Sequence, residues 1–281
     1  MNQQLQQLIV NAFAEDIGDG DHSTLSCIDK DAKGKAVLKI KEAGVIAGIA
    51  VAETIFKWVE PGCEFLQHKK DGEFVHVGET AFDITASIHT ILKCERLVLN
   101  TMQRMSGIAT LTRQYVEKLH GYKTRLLDTR KTTPNFRLLE KEAVSIGGGH
   151  NHRFGLYDMI MLKDNHIDYC GSIEKAILMA HQYLSDQHKN LKIEVETRSL
   201  EEVKRVLAVG KIDRIMLDNF TPVDIVSALQ LIKGKYETEA SGGITLDNVQ
   251  EYAATDIDFI SCGAIIHQAK SIDLSLKASI I

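Results

Sequence analysis

Residues 128–166 read DTRKTTPNFRLLEKEAVSIGGGHNHRFGLYDMIMLKDNH. An apolar run, Arg125-Leu126-Leu127, leads into this stretch, and a second, Met159 to Leu162, stands near its end. Between them, Pro134 opens a segment whose Phe136, Leu138, Leu139, Ala143, Val144 and Ile146 recur at helical spacing. The spacing predicts strand, helix, loop and strand. Cationic and imidazole side chains stand where the chain turns. Arg130 and Lys131 follow the first run; His150, His152 and Arg153 follow Gly147 to Gly149; Lys163 ends the second run. α/β folds place their chemistry in the loops that follow strands. Cations gathered there point to an anionic substrate.

The same alternation continues downstream. Strand-like runs lie at 191–196, 214–217, 236–240 and 258–261, with helix-like runs at 173–184, 200–209, 223–232 and 246–254. Repeated βα units of this pitch predict a parallel sheet with helical crossovers. An open doubly wound sheet and a nearly closed barrel both fit. No GxGxxG motif follows any run, which weighs against a dinucleotide site.

Each predicted strand ends on a functional group: Arg130 and Lys131; Lys163, Asp164 and Asn165; Glu194 and Glu196; Asp218 and Asn219; Ser241, Gly242 and Gly243; Gly263. A single charged strand end means little, because lysine and glutamate commonly end strands in water. Six ends in succession point to one shared rim, since parallel strands all point the same way. Arg130, Lys131, His152, Arg153 and Lys163 suit carboxylates and phosphates. Glu196 and Asp218 suit a hydrated Mg²⁺, which takes one or two carboxylates and binds substrate phosphate besides. Ser241-Gly242-Gly243, ahead of a helix expected near Thr245, offers bare amides for a monophosphate, and Gly263 repeats the device one strand later. Of the two glutamates at 194 and 196, only Glu196 is assigned to the rim, being nearer the strand end. His150 and His152 could ligate a metal, but no third ligand has suitable spacing. His166 and His267 read as structural, and Cys262 as buried filler. Lys163 could also serve as a Schiff-base lysine, the aldolase alternative. A non-catalytic binder of one small anion has no need for both an acidic pair and a separate phosphate seat.

Upstream the pattern differs. Residues 3–14 are predicted helical, and Asp16 to Asp21 reads as a turn, without the terminal glutamate of a calcium loop. A strand at 37–41 and a helix at 48–59 follow. Runs 64–68 and 73–77 are then expected to pair as a hairpin across Lys70-Asp71-Gly72, with a further strand near 81–87. Short strands beside helices predict a small α+β sandwich. Residues 89–120 form one long helix, or two broken near Ser106-Gly107, with Arg96, Asn100, Gln103 and Gly107 as a polar stripe.

With 281 residues and 44% hydrophobic content, the chain can build one large α/β domain beside a smaller one. A net charge of −5 argues against nucleic acid as a partner. Residues 125–163 nevertheless hold seven Lys/Arg against four Asp/Glu, a local cationic patch suited to a small anion. Five scattered cysteines without a CxxC pair suit a reducing compartment. The sequence shows no signal peptide and no apolar run long enough for a membrane helix, so the cytoplasm is expected.

Eight blocks, in order, resemble the quinolinate phosphoribosyltransferase family: AEDIGDGDHST, ERLVLNTMQRMSGIAT, DTRKTTP, GGGHNHRFGLYDMIMLKDNH, IEVETRSLEEV, IMLDNF, EASGGIT and ISCGAIIH. The resemblance implies a small α/β sandwich (1–107, with the tail 268–281 packed on it) followed by an incomplete, six- or seven-stranded α/β barrel (108–267). It also implies a homodimer in which the sandwich of one subunit covers the barrel mouth of the other. The implied reaction joins quinolinate to phosphoribosyl pyrophosphate with Mg²⁺ and loss of CO₂. In that scheme Arg96 reaches the neighbouring active site, and Arg130, His152, Arg153 and Lys163 hold quinolinate. Lys131 lies between the substrates. Glu196 and Asp218 serve the ribose hydroxyls and Mg²⁺, and Ser241, Gly242, Gly243 and Gly263 seat the 5-phosphate. A molybdenum-locus protein of the same superfamily is the alternative, with another anionic substrate.

Overall fold

The computed structural model describes residues 2–279; Met1, Ile280 and Ile281, at the ends of the expected divisions, lie outside the described residues. The chain forms two compact units. One comprises residues up to 113, 132–148 and those from 265 onward; the other comprises 114–131 and 149–264. The helical segment at 132–148, expected within the barrel, thus belongs to the first unit.

The first unit opens with helices α1 (Gln3–Ile17) and α2 (His22–Cys27), then β1 (Lys33–Ile40), β2 (Gly44–Val45), α3 (Ile49–Val59), β3 (Glu64–Gln67), β4 (Phe74–Val75), β5 (Thr80–Ser87) and α4 (Ile88–Lys118). Asp21 caps α2, its side chain accepting from the Thr24 N–H. A four-stranded antiparallel sheet runs β12-β1-β5-β3, where β12 (Leu274–Ser279) is the returning tail. In β1, Ala36, Leu38 and Ile40 are buried at every second position, so one face of the sheet is covered. Phe56 of α3 meets Phe82 of β5 edge-on at 6.3 Å.

The expected hairpin does not form. β3 pairs with β5, whereas β4 pairs with β2. The Lys70-Asp71-Gly72 turn is held elsewhere: the Gly72 N–H donates to the Ile46 carbonyl, and the Asp71 carboxylate accepts from the Ile49 and Ala50 N–H groups. Asp71 therefore caps α3 from a distance, because residue 48 is a glycine with no side chain to do so.

Helix α4 is unbroken over its 31 residues. Gly107 does not interrupt it; a Cβ there would stand 2.1 Å from the Lys270 carbonyl oxygen, so the glycine admits the tail backbone. Gln103 donates to the Leu274 carbonyl at 3.0 Å. These two members of the polar stripe therefore face the chain's own tail, while Arg96 and Asn100 are exposed.

The second unit is a parallel α/β array. It contains β6 (Arg125–Leu127), β7 (Ile160–Leu162), β8 (Ile193–Thr197), β9 (Arg214–Asp218), β10 (Glu237–Ser241) and β11 (Phe259–Ser261); α5 (Arg137–Gly147), between β6 and β7, belongs to the first unit. The six strands are ordered β6-β11-β10-β9-β8-β7. Strands consecutive in the chain are neighbours from β7 to β11, β11 returns to β6, and β6 and β7 remain at the two edges. This is an incomplete barrel. His150 forms a bridge beside Leu127 on the β6 edge. Helices α7 (Ile173–Asp186), α8 (Leu200–Val209) and α9 (Pro222–Ile232) are capped by Ser172, Ser199 and Thr221, which accept from backbone N–H groups.

Two short helices differ from expectation. An unanticipated α6 (Asp164–Cys170) follows β7 directly, with the His166 Nδ1 accepting from the Lys163 N–H at its start. The helix expected from Leu246 begins only at Val249 (α10, Val249–Ala253). Asn248 is the reason: its side chain accepts from the Thr245 N–H and donates to the Gly243 carbonyl, holding 243–248 as a turn.

Candidate active site

The period-two alternation of the strands decides which side chains share a surface. Glu194 pairs with Arg214 across β8 and β9, and Glu239 pairs with Met216 across β9 and β10. Glu194 and Glu196 are two apart and so lie on the same face; they differ in depth, not phase. Glu196 pairs with Lys163 near the strand end, and Glu194 lies deeper. Glu194 and Glu239 are both fully buried.

His152 joins these two carboxylates. Its Nε2 lies 2.9 Å from Glu194 Oε2 and 3.2 Å from Glu239 Oε2, while Arg214 donates to Glu239 Oε2 at 2.8 Å. Burial works against the imidazolium, but the hydrogen bonds to Glu194 and Glu239 overcome it and lift the ring to about 9. The Arg153 N–H directed at Nδ1 competes with the second proton. Burial and the Glu239 charge push the Glu194 carboxyl up. Asp128, itself buried, accepts from the His152 N–H at 2.8 Å and so fixes the loop that delivers the ring. His152, Glu194 and Glu239 are the group of three among the described residues whose donor atoms lie close enough for a metal ion. The guanidinium of Arg214 already neutralises that set, which disfavours an added cation.

Above this floor lies a cavity of about 300 Å³, lined by Arg130, Lys131, His152, Arg153, Lys163 and Ser241 among others. Burial, and then the charge of Arg130 nearby, hold the Arg153 guanidinium below its ordinary range. Two guanidinium groups crowded on one wall favour an anion between them. Lys163 pairs with Glu196 at 3.0 Å. Its side chain is 46% exposed, unlike the apolar burial that activates a Schiff-base lysine. Burial and the Glu196 charge push the Asp218 carboxyl up, while Ser241 hydrogen-bonds to it. Two carboxylates in mutual repulsion at a half-open rim are a donor set that a hydrated divalent cation fits.

The loop after β10 holds Gly242 at φ +89° and Gly243 at φ +64°, conformations that suit glycine. A Cβ at Gly242 would lie 2.2 Å from Asn219 Oδ1, whereas one at Gly243 would meet only open space. Consecutive left-handed glycines leave backbone N–H groups uncovered, an anion-binding concavity. This loop geometry, rather than a helix terminus, supports the expected phosphate seat, because α10 starts well downstream. Gly263 sits at the bend after β11, before the four-residue helix α11 (Ala264–His267).

The structure thus brings Arg130, Lys131, His152, Arg153, Lys163 and Ser241 to one cavity, with Glu196 and Asp218 bonded to its members. Arg96 lies on α4 in the first unit. Asp128, Glu194, Arg214 and Glu239 carry the floor and were not assigned from sequence. A signal was present: parallel strands normally read as near-continuous apolar runs, yet ETEAS and IEVET place carboxylates at every second residue.

The quinolinate phosphoribosyl transferase C-terminal domain matches residues 108–277 and its N-terminal domain matches 21–106. The chloroplastic nicotinate-nucleotide pyrophosphorylase [carboxylating] of Arabidopsis thaliana is 43% identical over 288 residues, covering 97% of this chain and 82% of that protein. A probable nicotinate-nucleotide pyrophosphorylase [carboxylating] of Bacillus subtilis (strain 168) is 41% identical over 277 residues, covering 99% of this chain and 94% of that protein. The crystal structure of NadC from Streptococcus pyogenes superposes with a TM-score of 0.92 at 40% identity, covering 99% of this chain and 97% of that one.

Proposed function

The chain belongs to the quinolinate phosphoribosyltransferase family, and from that membership we propose how its cavity carries out the reaction. The chain is an enzyme that joins quinolinate to the phosphoribosyl group of phosphoribosyl pyrophosphate with loss of CO₂, giving nicotinate mononucleotide and pyrophosphate. The observation that carries the assignment of roles is a single cavity in which Arg130, Lys131, Arg153 and Lys163 converge beside the Ser241–Gly243 loop. A dicarboxylate and a phosphate need those two features side by side.

Arg130, Arg153 and Lys163 hold the two carboxylates, with His152 orienting the inner end of the cavity. Ser241, Gly242, Gly243 and Gly263 seat the 5-phosphate. Glu196 and Asp218 hold the ribose hydroxyls, and Lys131, exposed at the rim, stabilises charge on the departing pyrophosphate. The same acidic pair would hold Mg²⁺, directly or through water, and the ion would neutralise pyrophosphate charge when bound. The ring nitrogen attacks C1 in line with the departing oxygen, and holding both substrates in that geometry supplies much of the acceleration. We place Arg96, 60% exposed and in ion-pair range of Glu95 at 3.9 Å, at the cavity of a second copy in a homodimer. The setting we propose is the cytoplasm; the five cysteines are free, which suits a reducing compartment. No helix among the described residues is long and apolar enough to cross a membrane.

A coupled assay tests this. The purified protein with quinolinate, phosphoribosyl pyrophosphate and Mg²⁺ is expected to release CO₂ and nicotinate mononucleotide, and to leave nicotinate untouched. Turnover of nicotinate alone would keep the phosphate seat and overturn the dicarboxylate assignment. Turnover of neither base would favour the superfamily relative with another substrate.

The phosphate seat has its own test. Gly242→Ala forces a side chain into a left-handed backbone and against Asn219, whose Nδ2 donates to Asp218 Oδ2 at 2.6 Å. The strain is on the order of 1–3 kcal/mol, and it distorts the seat and the acidic pair together. The KM for phosphoribosyl pyrophosphate is expected to rise roughly tenfold or more, against a smaller change for quinolinate. Equal changes in both would remove the loop from the phosphate assignment.

A further inference from the structure

A cavity lined by four cations ends on a carboxylate. Glu239 lines the same space as Arg130, Arg153 and Lys163, yet it is fully buried. Its Oε2 lies between Arg214 Nη1 at 2.8 Å and His152 Nε2 at 3.2 Å. Glu194 is bonded to the same imidazole. Met161 and Met216 form the apolar part of the wall, so little solvent stands between a bound ring and the Glu239–Arg214–His152 group. Arg214 and the His152 imidazolium balance the two glutamates overall, but Glu239 is the member of that set that brings a carboxylate to the cavity; its own charge opposes a dianionic ligand and favours any state in which the ligand ring turns positive.

The reaction assigned above makes such a state. The ring nitrogen gives its lone pair to C1, and the C1–oxygen pair leaves with pyrophosphate, so the ring becomes a pyridinium. The C2–carboxylate bond then breaks, its electron pair stays on C2, and CO₂ departs. C2 afterwards takes a proton from water. The ring carries positive charge from the first step until the product leaves. Resting on that reading, we propose that Glu239 is an electrostatic catalyst for the ring: it raises the free energy of bound quinolinate and stabilises the pyridinium that follows. Arg214 and His152 act as positioning residues that hold its carboxylate at the floor. The cations select the two carboxylates, and the floor distinguishes the reacting ring from the resting one.

Two inert probes separate those roles by equilibrium binding to the full-length protein. Phthalate has both carboxylates and a neutral ring; N-methylquinolinate has both carboxylates and a cationic ring. With Glu239→Gln, phthalate is expected to bind as well as before or tighter and N-methylquinolinate more weakly. The ratio of the two Kd values should move roughly tenfold toward phthalate, the size of one close charge contact in a partly screened site. In turnover, kcat falls while the quinolinate KM does not rise. Equal weakening of both probes would identify Glu239 as a structural strut and overturn the proposal, as would an unchanged ratio. Glu239→Asp keeps the charge but withdraws it by one methylene; it carries the test if the glutamine variant does not fold. Its ratio should move the same way by a smaller factor, and no movement overturns the proposal. A wild-type protein that turns over quinolinate while the ratio stays fixed sinks this inference alone; one that does not turn over quinolinate sinks the reading beneath it.

Discussion

Replacing Arg104 by alanine is expected to destabilise the protein by about 3–5 kcal/mol, the usual cost of leaving one member of a buried ion pair behind. Arg104 sits on α4, and its Nε donates to Glu140 Oε1 at 2.9 Å. Its two other guanidinium nitrogens donate to the Ala269 and Ile266 carbonyls, each at 2.8 Å. Glu140 has no exposed surface, and its remaining bonds come from the Thr133 N–H and hydroxyl. One planar side chain thus ties three segments of the first unit: the long helix, α5, and the chain from Ile266 in α11 to Ala269. Alanine strands a carboxylate where water does not reach and removes the donor to two carbonyls.

The size of the loss and its source can be separated. Chemical denaturation gives the free energy, and the melting temperature should fall by about 2–4 °C per kcal/mol for a chain of this size. Arg104→Lys is expected to recover only part of the loss, because a single ammonium does not span three acceptors in a plane. Arg104→Met with Glu140→Gln should cost clearly less than Arg104→Ala alone, since the stranded charge is gone. A double variant as unstable as the single one would place the cost in the two carbonyl bonds rather than in the charge.

The barrel strands were legible from sequence because each is short, apolar and followed by a polar turn, and because their pitch repeats. The rim was legible for a related reason: Arg130, Lys163, Glu196, Asp218 and Ser241 all stand one or a few residues past the last apolar position of a run. The floor was not. Bringing His152 to Glu194, Glu239 and Arg214 requires the curvature of the sheet, which no local spacing encodes. Glu194 shares a face with Glu196 because residues two apart on a strand do, but its depth in the sheet is not encoded locally. The failed hairpin has a different cause. Lys70-Asp71-Gly72 is good turn chemistry, but the Asp71 carboxylate serves the start of α3 instead of directing β4 back onto β3. The 132–148 segment had the right helical period; its membership in the first unit goes with bonds such as Arg104–Glu140 and Arg113–Gly147, pairings between distant positions.

Arg130→Ala is expected to lower kcat/KM for quinolinate by about 10²-fold or more. Removing one partner of a bound carboxylate costs roughly 2–5 kcal/mol, and each factor of ten in rate is about 1.4 kcal/mol. Arg130 shares the cavity with Arg153, whose guanidinium is depressed by burial and by the Arg130 charge. In the free protein the two cations repel; a dicarboxylate between them removes that repulsion and adds charge-assisted hydrogen bonds. The expected loss therefore contains both the charge-assisted bonds of Arg130 and the relief of that repulsion on binding. Arg130→Lys should restore charge without the planar fork and recover only part of the activity. With the 5-phosphate proposed to sit on the glycine loop after β10, the KM for phosphoribosyl pyrophosphate should change far less than that for quinolinate. Steady-state kinetics with each substrate varied in turn reads this directly. Wild-type kcat/KM in the alanine variant would remove Arg130 from the carboxylate site and leave Arg153 and Lys163 to hold the dianion alone.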